Sequence, residues 1–227
     1  MLGVIGKIMK TTIHLITVAG AAIIMSATGA SASDWVNSLY LSIDGGGVFQ
    51  QDVTMTETAL PGVRENTTFN PGARGDFIVG YNLDKSWAVE LESGVICNSI
   101  DKIGAVSLDS AGVDFDFCSV PILANVIYKV PTGNAWTPYF GVGAGGVVGR
   151  TDYQSPWASH CSDTTLTFAY QAKAGVDYAL TKNASFGIAY KFLGTFDQRY
   201  YLSTLHDHIK LDGIYTHAVV ASFTWNF

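Results

Sequence analysis

The chain has 227 residues and a net charge of −6, and it contains 14% charged residues, 48% hydrophobic residues, 12% aromatic residues and 24 glycines. Soluble domains carry roughly 25% charged residues, and disordered chains are rich in charge and poor in aromatics, so this composition excludes disorder and is unusual for a soluble domain. The negative net charge also excludes nucleic acid as an expected partner, because binding phosphates requires a basic surface.

Residues 1–32 have the pattern of a signal peptide. Lys7 and Lys10 form a short basic region, an apolar stretch covers residues 13–25, and Ala30-Ser31-Ala32 has the small-x-small pattern of a cleavage site. A membrane anchor is the alternative, although the apolar stretch is short for one. Removing this segment leaves 11 basic and 19 acidic residues, a net charge of −8. We predict an exported protein whose mature part begins at residue 33.

Apolar and polar residues alternate with a period of two along the rest of the chain. In one example, Trp87, Val89 and Leu91 alternate with residues that include Glu90 and Glu92. Such alternation indicates strands with two unlike faces and not helices. We predict eight strands, at residues 37–49, 72–82, 86–97, 118–130, 137–150, 166–180, 184–196 and 214–227.

Short and long connections follow one another strictly between these strands. The short ones lie at residues 82–86, 131–136 and 180–184, and the long ones at residues 50–71, 98–117, 151–165 and 197–213. This asymmetry is typical of transmembrane barrels, which have short periplasmic turns and long outer loops. No apolar run after residue 32 approaches the ~20 residues of a membrane helix. We therefore predict an all-β fold: one domain at 33–227, an eight-stranded antiparallel up-and-down transmembrane β-barrel with both ends in the periplasm.

Aromatic residues beside the short turns support this prediction. Strand geometry puts them at one height, where amphipathic rings favour a membrane–water interface. The predicted periplasmic girdle consists of Tyr81, Trp87, Tyr128, Trp136, Tyr178 and Phe186. A soluble barrel with its charged face outside is the alternative that the alternation alone leaves open.

Several segments resemble the small OmpA-like and opacity-type outer-membrane barrels, a porin-related family of surface antigens. The resemblance is carried by residues 119–128, 137–145 and 168–181 and by the closing Phe223-Thr-Trp-Asn-Phe227. It implies a bacterial outer-membrane location, surrounded by lipid and lipopolysaccharide. It also implies that Phe223, Trp225 and Phe227 form the aromatic signal recognised by the barrel assembly machinery.

Charged residues on the polar face should point into the lumen. Eight strands enclose a lumen that side chains just fill, and unpaired buried charge is costly, so opposite charges are expected to pair there. The predicted lumen network contains Asp44, Arg74, Asp76, Glu90, Glu92, Lys173, Asp177 and Lys191. A packed polar core is our main interpretation, and a narrow ion path gated by rearranging pairs is the alternative.

The chain has three cysteines, and an exported protein meets an oxidising compartment. Cys97 lies ten residues after Trp87, Cys118 lies ten residues before Tyr128, and both have the outward parity of their strands. We predict a Cys97–Cys118 disulfide with Cys161 unpaired. Three reduced cysteines are the alternative, because connectivity does not follow from spacing.

No motif indicates a cofactor, a metal or catalysis. The G-x-G-x-x-G match at residues 141–146 lies within a strand and lacks the helix that a nucleotide site needs. His206-Asp-His208 has no standard zinc spacing. His217 with Ser222 or Thr216 would supply only parts of a membrane-embedded lipid hydrolase.

The long loops mix polar and aromatic residues, as in residues 66–69, 153–157 and 199–201. Loops on a rigid barrel are natural binding elements, and Tyr and Trp are frequent at contact hot spots. We therefore predict a structural or surface-interaction role, with a host or cell-surface ligand bound through the four outer loops. A narrow channel is the second hypothesis.

Overall fold

The computed structural model describes residues 38–57, 64–104, 106–107, 114–155, 158–196, 198–202, 207–211 and 213–227. The predicted signal peptide lies outside the described residues. No helix among these residues is both long enough and apolar enough to cross a membrane.

Strands make up nearly all of the described chain. They are β1 (Leu39–Gln50), β2 (Val53–Glu57), β3 (Arg64–Phe69), β4 (Gly72–Asn82), β5 (Trp87–Ile103), β6 (Val106–Ser107), β7 (Asp114–Lys129), β8 (Trp136–Ser155), β9 (Ala158–Ala179), β10 (Ala184–Thr195), β11 (Gln198–Leu202), β12 (Asp207–Leu211) and β13 (Tyr215–Asn226).

Eight of the strands close into a barrel. Each pairs in antiparallel fashion with the next in the circular order β1, β4, β5, β7, β8, β9, β10, β13 and back to β1. Closure leaves no free sheet edge, which a strand-built membrane protein requires. The predicted all-β, eight-stranded antiparallel barrel is confirmed.

The short turns are shaped by polar side chains that accept hydrogen bonds from the backbone. Asp84 Oδ1 accepts from the amides of Ser86 and Trp87 at 2.7 and 2.8 Å. Thr181 Oγ1 accepts from the amide of Ala184 at 3.0 Å. Gly133, in the short turn between β7 and β8, has a φ of 73°, which favours glycine. These local bonds let neighbouring strands reverse within a few residues.

The two faces of the barrel wall decide between a membrane barrel and a soluble one. Large apolar side chains cover the outside, including Val142 at 65% exposure and Leu166 at 74%. Glu92 and Lys191, which a soluble barrel would direct outward, are buried inside at 0% and 1% exposure. An apolar exterior around a polar interior is the pattern of a barrel in lipid.

The outer loops contain more strand than the sequence analysis expected. Strands β5, β7, β8 and β9 run several residues beyond their predicted outer ends, and β8 and β9 pair as far as Ser155 and Ala158. The predicted loops at 50–71 and 197–213 each contain a hairpin, β2–β3 and β11–β12. The predicted long connections therefore contain strands that the alternation did not predict.

Together the two hairpins extend the wall above the barrel. β3 pairs with the outer end of β5, β2 pairs with β3, and β12 pairs with β2. β11, the last strand of this row, lies close to β9. We call β2, β3, β11, β12 and the outer ends of β5, β7, β8 and β9 the outer extension. Hydrogen-bonded pairing stiffens it relative to free loops.

Candidate functional site: the charged lumen

Glu92 is the centre of the polar interior. It projects inward from β5, and its side chain has no exposed surface. Its Oε1 accepts from Arg74 and Lys191, both at 2.8 Å. Its Oε2 accepts from Asn125 at 2.9 Å and from Gln171 and Lys173, both at 3.1 Å. Five donors on four other strands thus surround one carboxylate and satisfy its acceptor sites.

Arg74 and Lys191 connect Glu92 to two further carboxylates. Arg74 Nε donates to Asp76 Oδ2 at 2.6 Å. Lys191 Nζ lies 2.6 Å from Asp44 Oδ2 and 2.9 Å from Asp76 Oδ2. All of these side chains are at most 2% exposed. Their ion pairs connect β1 and β4 to β10, which is separated from them by β13 and is not their hydrogen-bonded neighbour.

Lys173 extends the network toward the periplasmic end. Its ammonium contacts Glu90 Oε2 as well as Glu92. Tyr40 donates its hydroxyl hydrogen to Glu90 Oε1 at 2.7 Å. The predicted charges Asp44, Arg74, Asp76, Glu90, Glu92, Lys173 and Lys191 therefore form one connected set.

Asp177 departs from the prediction that every lumen charge is paired. It faces the lumen, yet it forms no ion pair with any residue that the structure describes. Its carboxylate leans over Gly187, where an added Cβ would lie 2.1 Å from Asp177 Oδ1 and 2.6 Å from Ser222 Oγ. Asp177 sits nearer the periplasmic mouth than the other charges, where water can solvate it.

Three uncharged partners were missed by the sequence analysis. Asn125 and Gln171 bridge the charged groups, with Gln171 Nε2 donating to Asn125 Oδ1 at 3.2 Å, and Tyr40 holds Glu90. All three have the inward parity of their strands, so their position in the alternation was the available signal. The prediction considered only ionised side chains and therefore passed over them.

A cavity of about 210 Å³ lies on the periplasmic side of the network. Its walls include Tyr40, Glu90, Lys129 and Asp177, and its mouth includes Lys182 in the last short turn. Lys129 lies over the Tyr40 ring, 4.3 Å from its centroid, and donates to Asn82 Oδ1 at 2.7 Å. Polar groups line this cavity, so it is suited to water or a small polar solute.

An apolar layer closes the lumen on the other side of the charges. Val48, Ile96 and Leu193 follow Asp44, Glu92 and Lys191 on the same inward faces, one or two inward positions nearer the outside. These three residues pack with Leu123, Val147 and smaller side chains in one buried cluster. The lumen is therefore filled by apolar side chains above its charged centre.

The predicted girdle residues lie on the outside of the barrel near the short turns. Trp87 contacts Tyr128, and Trp136 contacts Tyr178, with ring centroids 5.0 and 4.7 Å apart. Phe186 is 47% exposed, and Tyr81 is partly exposed. The terminal residues Phe223, Trp225 and Phe227 are also 40–47% exposed on the same outer surface.

A second aromatic cluster, toward the outer end of the wall, was not predicted. Phe192 lies 5.3 Å from the ring of His217 and 6.1 Å from that of Tyr215. His217 also hydrogen-bonds Tyr190 and Gln51 at 2.6 and 2.8 Å. The cluster lies on the outer face of the wall, where β10 pairs with β13.

His217 therefore does not form a catalytic set with the residues named from the sequence. It lies on the outer face of β13, whereas Thr216 and Ser222 are buried on the inner face. Among the described residues, no group of three or more His, Cys, Asp or Glu side chains is placed to hold a metal ion. His206 lies outside the described residues, and the side chains of Cys161 and His208 do too.

Cys97 and Cys118 face each other across β5 and β7 and are joined by a disulfide. Their Cα atoms are 4.2 Å apart, the short spacing of a pair that does not exchange backbone hydrogen bonds. The bond lies on the outer face of the wall, where the second long connection begins.

A family model described as outer membrane protein beta-barrel domain matches residues 17–227 of the chain. No protein with a curated description matches the sequence.

Solved outer-membrane barrels share the fold at low sequence identity. OprG from Pseudomonas aeruginosa is 16% identical, with a TM-score of 0.57 over 84% of this chain and 97% of that one. Neisserial surface protein A is 15% identical, with a TM-score of 0.53 over 83% and 97%. A major outer membrane protein from Thermus thermophilus is 12% identical, with a TM-score of 0.51 over 84% and 100%.

Proposed function

Because this chain belongs to the outer membrane protein beta-barrel domain family, we propose that it is a non-catalytic surface protein of the bacterial outer membrane. Its role is structural or adhesin-like, and the outer extension contacts a host or cell-surface ligand. The observation that carries this proposal is the blocked lumen, in which a buried charge network and an apolar layer lie between the periplasmic cavity and the outer end of the barrel.

A blocked lumen favours function on the outside of the barrel. Moving a solute through it would require breaking ion pairs among side chains that are at most 9% exposed and displacing Leu123, which is fully buried. The ion pairs and hydrogen bonds of this network join strands across the lumen and so stabilise the wall. The lumen is thus better suited to holding the barrel rigid than to transport.

The outer extension supports the proposed interaction role, because it is an ordered surface outside the lumen. Its hairpins β2–β3 and β11–β12 are paired into the row that continues from β5, so their positions relative to the barrel are set by backbone hydrogen bonds. Binding elements on a rigid scaffold lose less conformational entropy on contact than free loops do. This favours recognition by a preformed surface.

The test compares the intact protein with a variant lacking both hairpins. Residues 51–71 and 197–213 are each replaced by a short glycine–serine turn, which leaves β1, β4, β10 and β13 intact. Both proteins, in lipid nanodiscs, are applied to a glycan array and to immobilised fibronectin, laminin and collagen. We expect binding by the intact protein and loss of that binding in the variant.

A matched control replaces the periplasmic turn at 131–135 with glycine and serine residues and should bind like the intact protein. Equal binding by the hairpin-deleted variant would contradict the interaction role. Failure of the intact protein to bind any of these probes would leave the structural role as the better account.

We also propose the partners that the family implies. The apolar wall contacts lipid, and its outer part contacts lipopolysaccharide. Phe223, Trp225 and Phe227 form the signal that the barrel assembly machinery reads, and residues 1–32 are cleaved during export. Mass spectrometry of the protein purified from outer membranes should find a new N-terminus at residue 33. Replacing Phe227 by Ala should lower the amount inserted.

A narrow channel is the second candidate, supported by the cavity that reaches the charge network from the periplasmic side. Planar-bilayer recording tests it directly. Our proposal predicts no conductance steps in the intact protein, because the apolar layer remains dry. Reproducible unit steps that disappear when Lys191 is replaced by Met would favour the channel.

A further inference from the structure

Two charged side chains face the periplasmic cavity without belonging to the connected lumen network. They are Lys129 on β7 and Asp177 on β9, and both line the cavity wall. Neither forms an ion pair with any residue that the structure describes. Charge that is partly withdrawn from water without a partner is unfavourable. The cavity therefore contains one positive and one negative group that are each available to a ligand.

Each of these two groups is positioned by contacts with a different part of the wall. Lys129 Nζ donates to Asn82 Oδ1 at 2.7 Å and lies 4.3 Å from the centroid of the Tyr40 ring, so it is directed toward β4 and β1. Asp177 instead leans toward β10, where its Oδ1 occupies the space over Gly187. The ammonium and the carboxylate therefore share the cavity but do not neutralise each other.

Gly187 leaves room for the carboxylate and for a hydroxyl beside it. A Cβ at this position would lie 2.1 Å from Asp177 Oδ1 and 2.6 Å from Ser222 Oγ, so both oxygens border one small space that no side chain of β10 fills. Ser222 also lines the cavity. A carboxylate and a hydroxyl can both accept from the several N–H donors of one ammonium group. This side of the cavity is therefore suited to an ammonium group, and the Lys129 side is suited to an anion.

We propose that the periplasmic cavity binds a small zwitterion that carries one ammonium group and one carboxylate. Its ammonium group donates to Asp177 and Ser222, and its carboxylate accepts from Lys129. Such a ligand neutralises both unpaired charges at once and forms charge-assisted hydrogen bonds at either end, whereas a simple cation or anion neutralises only one. The cavity of about 210 Å³ is smaller than the roughly 300–1,000 Å³ of sites for drug-sized molecules, so the ligand is small.

The ligand enters and leaves on the periplasmic side. Lys182, in the last short turn, lies at the mouth of the cavity, whereas the charge network and the apolar layer block the lumen on the other side. This site is independent of the proposed surface role, which rests on the outer extension. Removal of both outer hairpins should therefore leave zwitterion binding unchanged, so the two proposals can fail separately.

Saturation-transfer NMR on the full protein in lipid nanodiscs tests the proposal with zwitterions of increasing length: glycine, β-alanine and 4-aminobutyrate. We expect saturable binding of at least one of them. Methylamine and acetate, which carry one charge each, should bind at least about tenfold more weakly, because each forms only one of the two charge-assisted contacts. Asp177→Asn and Lys129→Gln should each weaken binding of the best zwitterion by about tenfold or more for the same reason.

Lys102→Gln is the matched control, since Lys102 is exposed near the outer end of β5, and it should bind like the parent protein. Heat-modified migration on gels verifies that each variant is a closed barrel. Competition in the parent protein gives a second measurement that needs no variant, because methylamine and acetate should each displace the zwitterion at high concentration. Absence of saturable zwitterion binding would overturn the proposal. Unchanged binding in either cavity variant, or methylamine binding as tight as that of the best zwitterion, would overturn it too.

Discussion

Arg74 and Glu92 form an ion pair of 2.8 Å in which neither side chain has any exposed surface. They lie on neighbouring strands but are not register partners, because Arg74 is opposite Ile96 and Glu92 is opposite Ile78. Arg74 therefore extends toward the periplasmic side to reach Glu92. The same guanidinium also donates to Gln171 on β9 at 2.9 Å. One side chain thus links strands that are far apart around the barrel.

We expect Glu92→Gln to lower the free energy of unfolding by about 3–5 kcal/mol, the usual cost of removing one partner from a buried ion pair. The substitution removes the negative charge from three ion pairs. It also puts an amide NH₂ group, a donor, in the place of a carboxylate oxygen that accepts hydrogen bonds. Glu90→Gln is the matched control, because Glu90 contacts only Lys173 and Tyr40 within the network. Its loss should be clearly smaller. Urea unfolding in vesicles, followed by tryptophan emission, measures both, and equal losses would contradict the central role of Glu92.

The glycine run in β1 gives a second prediction. A Cβ at Gly46 would lie 1.9 Å from the backbone oxygen of Val219, whereas a Cβ at Gly47 would meet nothing within 4 Å. Gly46→Ala must therefore shift β1 or β13, and we expect a loss of about 1–3 kcal/mol. Gly47→Ala should be neutral or slightly stabilising, since alanine restricts the unfolded chain. Heat-modified migration on gels compares the stability of the two variants, and equal stability would refute this account.

The alternation of residues was sufficient to predict the eight barrel strands and their inward faces. In residues 87–92, for example, the odd-numbered residues lie on the outer face and the even-numbered residues on the inner face. The outer extension was not predictable in this way, because β2, β3, β11 and β12 are each five or six residues long. Their pairing depends on where neighbouring strands end in space.

The contacts between side chains in the lumen could not be predicted from the sequence either. Parity identifies which residues point inward, but not which of them meet. That depends on the stagger of strands around the barrel. The stagger brings Arg74 to Glu92 and leaves Asp177 without an ion pair among the described residues. Asn125 and Gln171 share that parity, and they act as bridges only because the stagger puts them beside Glu92.

The girdle residues should lie at one depth in the bilayer. We expect a protein whose only tryptophan is Trp136 to be quenched most by lipids brominated close to the headgroup, because its ring lies beside a short turn. In the matched control, Trp136 is replaced by Phe and Val142, an outward residue farther along β8, by Trp. Its emission should be quenched most by lipids brominated deeper in the chain region. The same depth for both tryptophans would argue against the girdle.

The disulfide gives the last prediction. Cys97 and Cys118 are separated by 21 residues in the chain, and closing a loop of that size stabilises a protein by about 3 kcal/mol in the chain-entropy account. Non-reducing peptide mapping should find these two cysteines in one cross-linked peptide. The double variant Cys97→Ala/Cys118→Ala should lose most of that stability, whereas Cys161→Ala should lose little. A main bridge that contains Cys161 would contradict this pairing. An unchanged unfolding midpoint in the double variant would contradict the stabilising role of the disulfide. It would mean that backbone hydrogen bonds alone hold β5 and β7 together at this point.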